Sequence, residues 1–495
     1  MRMPDRHWRL ACRRLAPAFL LAGLACACTG PLKLNEPAQL PQHFYEAAPV
    51  PSEGAVPLSD VQLEQWWTQF DDPVLSELIG QALEHNYDIA IAAARVDQAR
   101  AGVTAARSQL LPSVGVGLGG GSYHGGPTEL EFQELLGVND LNASFWRAGL
   151  QTQWEIDVFG HGRARLAAAH ALTSAVAGDA KAVRLSIVAT VADLYMTYRG
   201  LQQQRALLTQ SHQVAADFVV IAERNFAAGV TLSTDIDVAR AGLAQVEARQ
   251  QEVDAAISGA RLSIENLCVV APGSLNDELE SSTALPKLLP DITAGQPVDL
   301  LMRRPDLIAA RERLLASVKQ SDAARLNYWP TVSLSALLAR NGWVLAGQSL
   351  GATTFWLFGA ALSLPLIDFG ARESQVQAAD AQAQQALLAY EKTAWGALYD
   401  VEQALTRLRR LQQSQAARNE EVARRKEVLR KTEEQYRVGD VGRLDIDQAR
   451  VALFESQSAL VREQVGLVQS QVALFRAMGG GWQMADTVAG VSRSQ

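Results

Sequence analysis

Aromatic residues make up only 6% of the 495-residue chain, and it has just four cysteines. Four cysteines exclude a disulfide-stapled scaffold. Positive charge is not in excess either: 45 Lys and Arg stand against 53 Asp and Glu, a net charge of −8. A nucleic-acid binder needs a basic face, so no nucleic-acid partner is expected. Beyond the N-terminus there is no run of 18 apolar residues, which excludes a membrane-spanning helix and with it an inner-membrane transporter. It does not exclude a membrane β-barrel, whose strands are short and only half apolar. Catalytic signatures are also missing. There is no His-Glu-x-x-His, no phosphate loop ending in Gly-Lys-Ser/Thr and no Gly-x-Ser-x-Gly. The glycines Gly115, Gly117, Gly119 and Gly121 alternate as in a strand, and no dinucleotide-binding unit follows them. No enzyme activity, no cofactor and no metal site are expected.

At the N-terminus Arg2, Arg6, Arg9, Arg13 and Arg14 precede an apolar stretch from Leu15 to about Ala27. A basic region before a short apolar region reads as an export signal. The stretch closes on Leu24-Ala25-Cys26-Ala27-Cys28, similar to the lipidation signal of bacterial lipoproteins. Cys28 is the preferred lipidated residue and Cys26 the alternative, because Cys28-Thr-Gly-Pro opens a proline-rich tether. Cleavage without lipid is the competing reading. With Cys28 as the first residue and lipidated, Cys268 remains as the free thiol, expected to be buried and structural.

The chain is written twice. Asp235-Ile-Asp-Val-Ala-Arg240 recurs as Asp445-Ile-Asp-Gln-Ala-Arg450, 210 residues later. At that offset Phe159-Gly160 falls on Phe369-Gly370, Gly229 on Gly439 and Trp146 on Trp356. The expected divisions are a leader (1–27), a tether (28–59), a first repeat (60–270), a linker (271–296), a second repeat (297–478) and a tail (479–495).

Each repeat reads helix, strand, strand, very long helix, long helix. The very long helices are expected at 161–226 and 371–436, rich in Ala, Gln, Leu and Arg and free of proline. At 1.5 Å per residue each is roughly 100 Å long. Leu387, Ala394, Val401, Leu408, Gln415, Val422, Leu429 and Tyr436 recur every seven residues, as in a coiled coil. Val191, Tyr198, Arg205, His212, Val219 and Phe226 hold the same phase. His212 therefore occupies a seam position and reads as structural. Return helices are expected at 233–268 and 443–477, after the glycine turns at Gly229 and Gly439.

Four segments alternate with period two: 113–121, 145–157, 331–340 and 354–366. One face of each is apolar and the other small or polar, as in a membrane barrel. A soluble sheet with one buried face has the same pattern. Four strands cannot close a barrel, and open edges in lipid leave backbone groups unpaired. A barrel would therefore be shared between chains, and this argument does not fix their number. The fold class expected is mostly α with a membrane β part.

These features together resemble the outer-membrane factors of Gram-negative tripartite efflux pumps, the TolC-like channel-tunnels, and among them the NodT-type lipoproteins. The resemblance is carried by Cys28-Thr-Gly-Pro, Trp66-Trp67-Thr-Gln-Phe-Asp-Asp-Pro-Val-Leu75, Arg303-Arg304-Pro305-Asp306-Leu307 and Pro365-Leu-Ile-Asp368-Phe-Gly370. It implies a homotrimer with a shared twelve-stranded outer-membrane barrel and a long periplasmic helical tunnel. It also implies a lipid anchor, a periplasmic adaptor and an inner-membrane RND-type transporter as partners.

On that reading the wall conducts passively and control lies at the hairpin tips. The gate candidates are Asp235 and Asp237 in one copy, and Asp440, Arg443, Asp445 and Asp447 in the other. In the resembled family acidic residues narrow this entrance. Asp445 falls on one such position, while the second is occupied here by Gln448. Helix N-capping is the competing role for each Asp. The tip residues Gly229, Val230, Gly439 and Val441 are the candidate docking place for the adaptor. Rival readings are an exit duct for type I protein secretion and a non-conducting envelope coiled coil.

Overall fold

The computed structural model describes residues 32, 34, 40–46, 63–124, 142–281, 284–289, 297–345 and 348–480. The leader, both candidate lipidation cysteines, most of the tether and the tail after 480 lie outside the described residues. The elements are α1 (Pro73–His85), α2 (Tyr87–Ser108), β1 (Ser113–His124), β2 (Asn142–Ile156), α3 (His161–Ala227), α4 (Ser233–Cys268), α5 (Asn276–Glu280), α6 (Pro297–Arg303), α7 (Pro305–Leu326), β3 (Thr331–Leu345), β4 (Gln348–Ser363), α8 (Ala371–Val438) and α9 (Arg443–Ala477). A 3-10 turn, Trp66–Phe70, precedes α1. No described helix is long and apolar enough to cross a membrane.

Two compact units can be distinguished. The first holds residues 97–175 and 311–389, and with them all four strands. These form one antiparallel sheet in the order β1-β2-β3-β4. Two capping carboxylates hold the strand-to-helix corners. Asp157 accepts from the backbone N–H of Gly162 at 3.0 Å and of Arg163 at 2.9 Å. Asp368 accepts from Gly370 and Arg372 N–H, both at 3.2 Å. Gly160 and Gly370 follow with φ of +92° and +91°, which glycine adopts without steric cost.

The strands differ from expectation at their ends. β4 begins at Gln348 rather than 354 and stops at Ser363 rather than 366. Pro365 explains the early stop, since it cannot donate to a ladder. β3 continues past 340 to Leu345, and β2 begins three residues early at Asn142.

The second unit holds residues 38–96, 176–310 and 390–495. Its core gathers Trp66, Phe70, Leu75, Val188, Tyr195, Val401, Leu467 and Phe475. Trp66 stacks on Phe475 with ring centroids 5.3 Å apart. Asp72 caps α1 by accepting from Leu75 N–H at 3.0 Å, with Pro73 in the first turn. Its other oxygen accepts from the Tyr195 hydroxyl at 2.7 Å.

The seven-residue seam of α8 is seen in burial. Leu387, Ala394, Val401, Leu408 and Val422 are buried, and Gln415, Leu429 and Tyr436 are half-buried. On α3 the same phase weakens toward the tip. Val191 and Tyr198 are buried, but Phe226 is exposed. His212 is half-buried, as Gln415, Leu429 and Tyr436 are, with Nε2 3.5 Å from Glu247 of α4. Cys268 is buried, and desolvation pushes its thiol up to about 11, as suits a structural cysteine.

Candidate conduit and gate

Strand pairing decides which side chains share a face. Val116 pairs with Leu150, Leu150 with Leu338, and Leu338 with Trp356. The row beside it runs Val114, Thr152, Ala336 and Phe358. The apolar sets of all four strands thus fall on one face of one sheet. Val116, Leu118, Trp356, Phe358 and Leu362 are more than 60% exposed there, so nothing among the described residues covers them. The opposite face carries Gly115, Gly117, Gln151, Gln153, Ser333 and Ser335, with Leu337, Phe355 and Leu357 toward β4. An exposed apolar face backed by a smaller and more polar one suits a wall between lipid and water.

Tryptophans mark both ends of the apolar face. Trp154 donates its indole N–H to the Leu110 carbonyl at 2.9 Å. Eight residues along β2, the Trp146 ring lies over Gly342, where an added Cβ would come within 2.4 Å of it. β1 and β4 form the two edges of the sheet. An edge in lipid requires pairing from elsewhere.

The helical tips are built twice in the same way. Gly229 has φ +73°, and Val230 N–H donates to the Asn225 carbonyl at 2.9 Å. Gly439 has φ +84°, and Asp440 N–H donates to the Gln435 carbonyl at 3.0 Å. Both are left-handed helix caps in which glycine avoids the Cβ penalty. Val230 is 73% exposed, as an apolar contact point would be, while Val441 is half-buried. Further back each hairpin carries one repeated ion pair. Arg240 meets Glu223 at 2.8 Å, and Arg450 meets Glu433 at 2.7 Å.

The gate candidates divide by environment. Asp235, Asp237, Asp440 and Asp445 are exposed. Asp445 does act as a cap: its carboxylate accepts from Gly442 N–H at 2.8 Å. Asp447 is half-buried, and desolvation pushes its carboxyl up to about 6 despite the nearby guanidiniums of Arg443 and Arg450. Arg443 lies with its guanidinium 3.6 Å from the Phe218 ring centroid, and burial lowers its pKa. Arg443, Asp447 and Asp235 border one cavity between α3, α4 and α9. Asp237 and Asp440 do not.

Phe218 has no counterpart in the repeat, since Val428 stands at the equivalent position, so the duplication gave no sign of this contact. The resemblance motifs, by contrast, serve packing. Arg304 reaches both oxygens of Asp306, at 3.1 and 2.7 Å, and Asp400 at 3.0 Å. Arg199, fully buried, donates to the Tyr195 hydroxyl and the Leu279 carbonyl. No group of three or more His, Cys, Asp or Glu among the described residues is placed to hold a metal.

Nodulation protein T of Rhizobium leguminosarum bv. trifolii is 27% identical over 449 residues, covering 90% of this chain and 92% of its own. The toluene efflux pump outer membrane protein TtgC of Pseudomonas putida is 26% identical, covering 85% and 86%. Among solved structures, the outer-membrane channel OprN superposes with a TM-score of 0.79 at 27% identity, covering 91% of this chain and 99% of that one. The family model for outer membrane efflux proteins matches residues 78–268 and 297–480. The match spans both repeats, and the chain belongs to the outer membrane efflux protein family.

Proposed function

We propose that three copies of this chain form the outer-membrane exit duct of a tripartite efflux pump in a Gram-negative bacterium. The single observation that carries the reading is the four-stranded antiparallel sheet with one exposed apolar face and β1 and β4 at its edges. Three such sheets joined edge to edge give a closed twelve-stranded barrel without unpaired backbone in lipid. The small, polar face then lines a wet lumen. The duct conducts drugs or other small molecules passively, with energy supplied by an inner-membrane RND-type transporter through a periplasmic adaptor.

Cys28 carries the lipid anchor, with Cys26 as the alternative. The tips at Gly229, Val230, Gly439 and Val441 receive the adaptor. Asp235, Asp237, Asp440, Asp445 and Asp447 form the acidic entrance, and Arg443 holds α9 against α3 while it is closed. The repeated left-handed caps and the Arg443–Phe218 contact support this assignment. The purified protein should run as trimers and conduct ions in planar bilayers. Deleting the gene should sensitise cells to small toxic molecules and leave protein secretion unchanged. Loss of a secreted protein with unaltered drug sensitivity would overturn the efflux assignment.

A further inference from the structure

The cavity between α3, α4 and α9 has a volume of about 570 Å³. That is the size of a small-molecule site. Its walls are largely apolar, with Phe218 and Ile221 from α3, Val238 from α4, and Val451 and Phe454 from α9. Three polar atoms of its lining are shielded from solvent and have no hydrogen-bond partner: Thr231 Oγ1, Arg443 Nε and Asp447 Oδ1. Buried polar atoms are rarely left so, because each carries its full desolvation cost.

The arrangement on α9 explains why the carboxylate stays open. Arg443, Asp447 and Arg450 follow one another at i, i+4 and i+7 on one helix face. Both arginines have other occupations. Arg443 stacks on Phe218, and Arg450 is bonded to Glu433 at 2.7 Å. Neither makes an ion pair with Asp447. Space also remains on the α4 side, where a Cβ added to Gly242 would meet nothing within 4 Å.

We propose that this cavity binds a protonated amine carried on an aromatic-sized apolar body. The ammonium donates to Asp447 Oδ1, and the Thr231 hydroxyl is a further acceptor. The apolar body covers the Phe218, Ile221, Val451 and Phe454 walls. A neutral alcohol of the same shape donates one hydrogen bond to the carboxylate but brings no compensating charge. The site stands on the cavity of one chain and does not depend on how copies assemble.

The test is isothermal titration calorimetry on the full-length assembled protein in detergent. The probes are 1-naphthylmethylamine and its neutral counterpart 1-naphthylmethanol. The amine should bind saturably, and the alcohol should bind weaker by about tenfold or more. Asp447→Asn and Gly242→Leu should each weaken the amine by a similar factor, the first by removing the charge and the second by filling the space. No saturable binding of the amine, equal affinity for the two probes, or undiminished binding by both folded variants would overturn the proposal. Conductance of the same preparation is recorded in parallel. A conducting protein that does not bind the amine sinks only this site, and one that binds without conducting sinks only the duct.

Discussion

The Arg443 guanidinium sits 3.6 Å from the centroid of the Phe218 ring, tying the first turn of α9 to α3. Arg450 lies over the same ring at 5.3 Å. Two cations thus share one aromatic ring between the two helical hairpins. Such contacts are worth about 0.5–2 kcal/mol depending on desolvation. If the contact holds the entrance closed, Phe218→Ala and Arg443→Ala should each raise open probability. A loss of about 1 kcal/mol corresponds to roughly a fivefold change. Single-channel recording in planar bilayers measures this, and Arg443→Lys should fall between wild type and alanine.

The exposed acids at the tip should set ionic preference. Asp440→Ala combined with Asp445→Ala should raise conductance and reduce the preference for cations, as removing a charged constriction does. Asp445 also caps Gly442, so this variant should lose about 1 kcal/mol of local stability. Reversal potentials under a salt gradient separate the two effects. Unchanged conductance and preference would remove these residues from the gate.

The raised carboxyl of Asp447 makes stability depend on pH. Its folded-state pKa of about 6 lies above the ordinary 3.8, so the ionised form is the disfavoured one in the folded protein. The cost is absent below the unfolded value, grows as pH rises between 4 and 6, and is complete above. Asp447→Asn should therefore melt higher than wild type at pH 7, by about 1 kcal/mol after solvent screening. The two melting curves should converge as pH falls toward 4. A constant difference across that window would contradict the assignment.

The two faces of the sheet should respond oppositely to charge. Leu150→Arg places a cation on the apolar face and should cost about 2–4 kcal/mol if that face meets mid-bilayer lipid. Assembled trimers should disappear from outer membranes. Gln151→Arg, one residue on, should assemble normally and shift ion selectivity. Heat-modifiability on gels and reversal potentials provide the readouts.

Much of this architecture is legible in the sequence because its periods are long and uninterrupted. The helices α4 and α9 begin and end where the glycine turns and the loss of apolar pattern place them, at Ser233–Cys268 and Arg443–Ala477. The alternation around Trp146 and Trp356 gives the apolar faces, but only the pairing of Leu150 with Val116 and Leu338 puts them on one surface. The strand extensions to Leu345 and Asn142 escape the pattern because Gly342 breaks the alternation and is filled by Trp146 from the neighbouring strand. The Phe218–Arg443 contact escapes it for another reason. It joins residues 225 positions apart and occurs in one half only, so neither periodicity nor self-comparison registers it. His212 keeps the phase on α3, and the partner it meets there, Glu247 of α4, is one that periodicity does not name.

The central claim is that the sheet is the wall of an aqueous pore, with Gln151 on the wet side and Leu150 on the lipid side. Single-channel recording with a water-soluble, membrane-impermeant thiol reagent tests it directly. Cys268 is fully buried and should leave the parent protein unreactive. The account predicts that reagent added to Gln151→Cys channels reduces the current stepwise, while Leu150→Cys channels conduct unchanged. Equal block at both positions, block at 150 alone, or the absence of any channel current would contradict it.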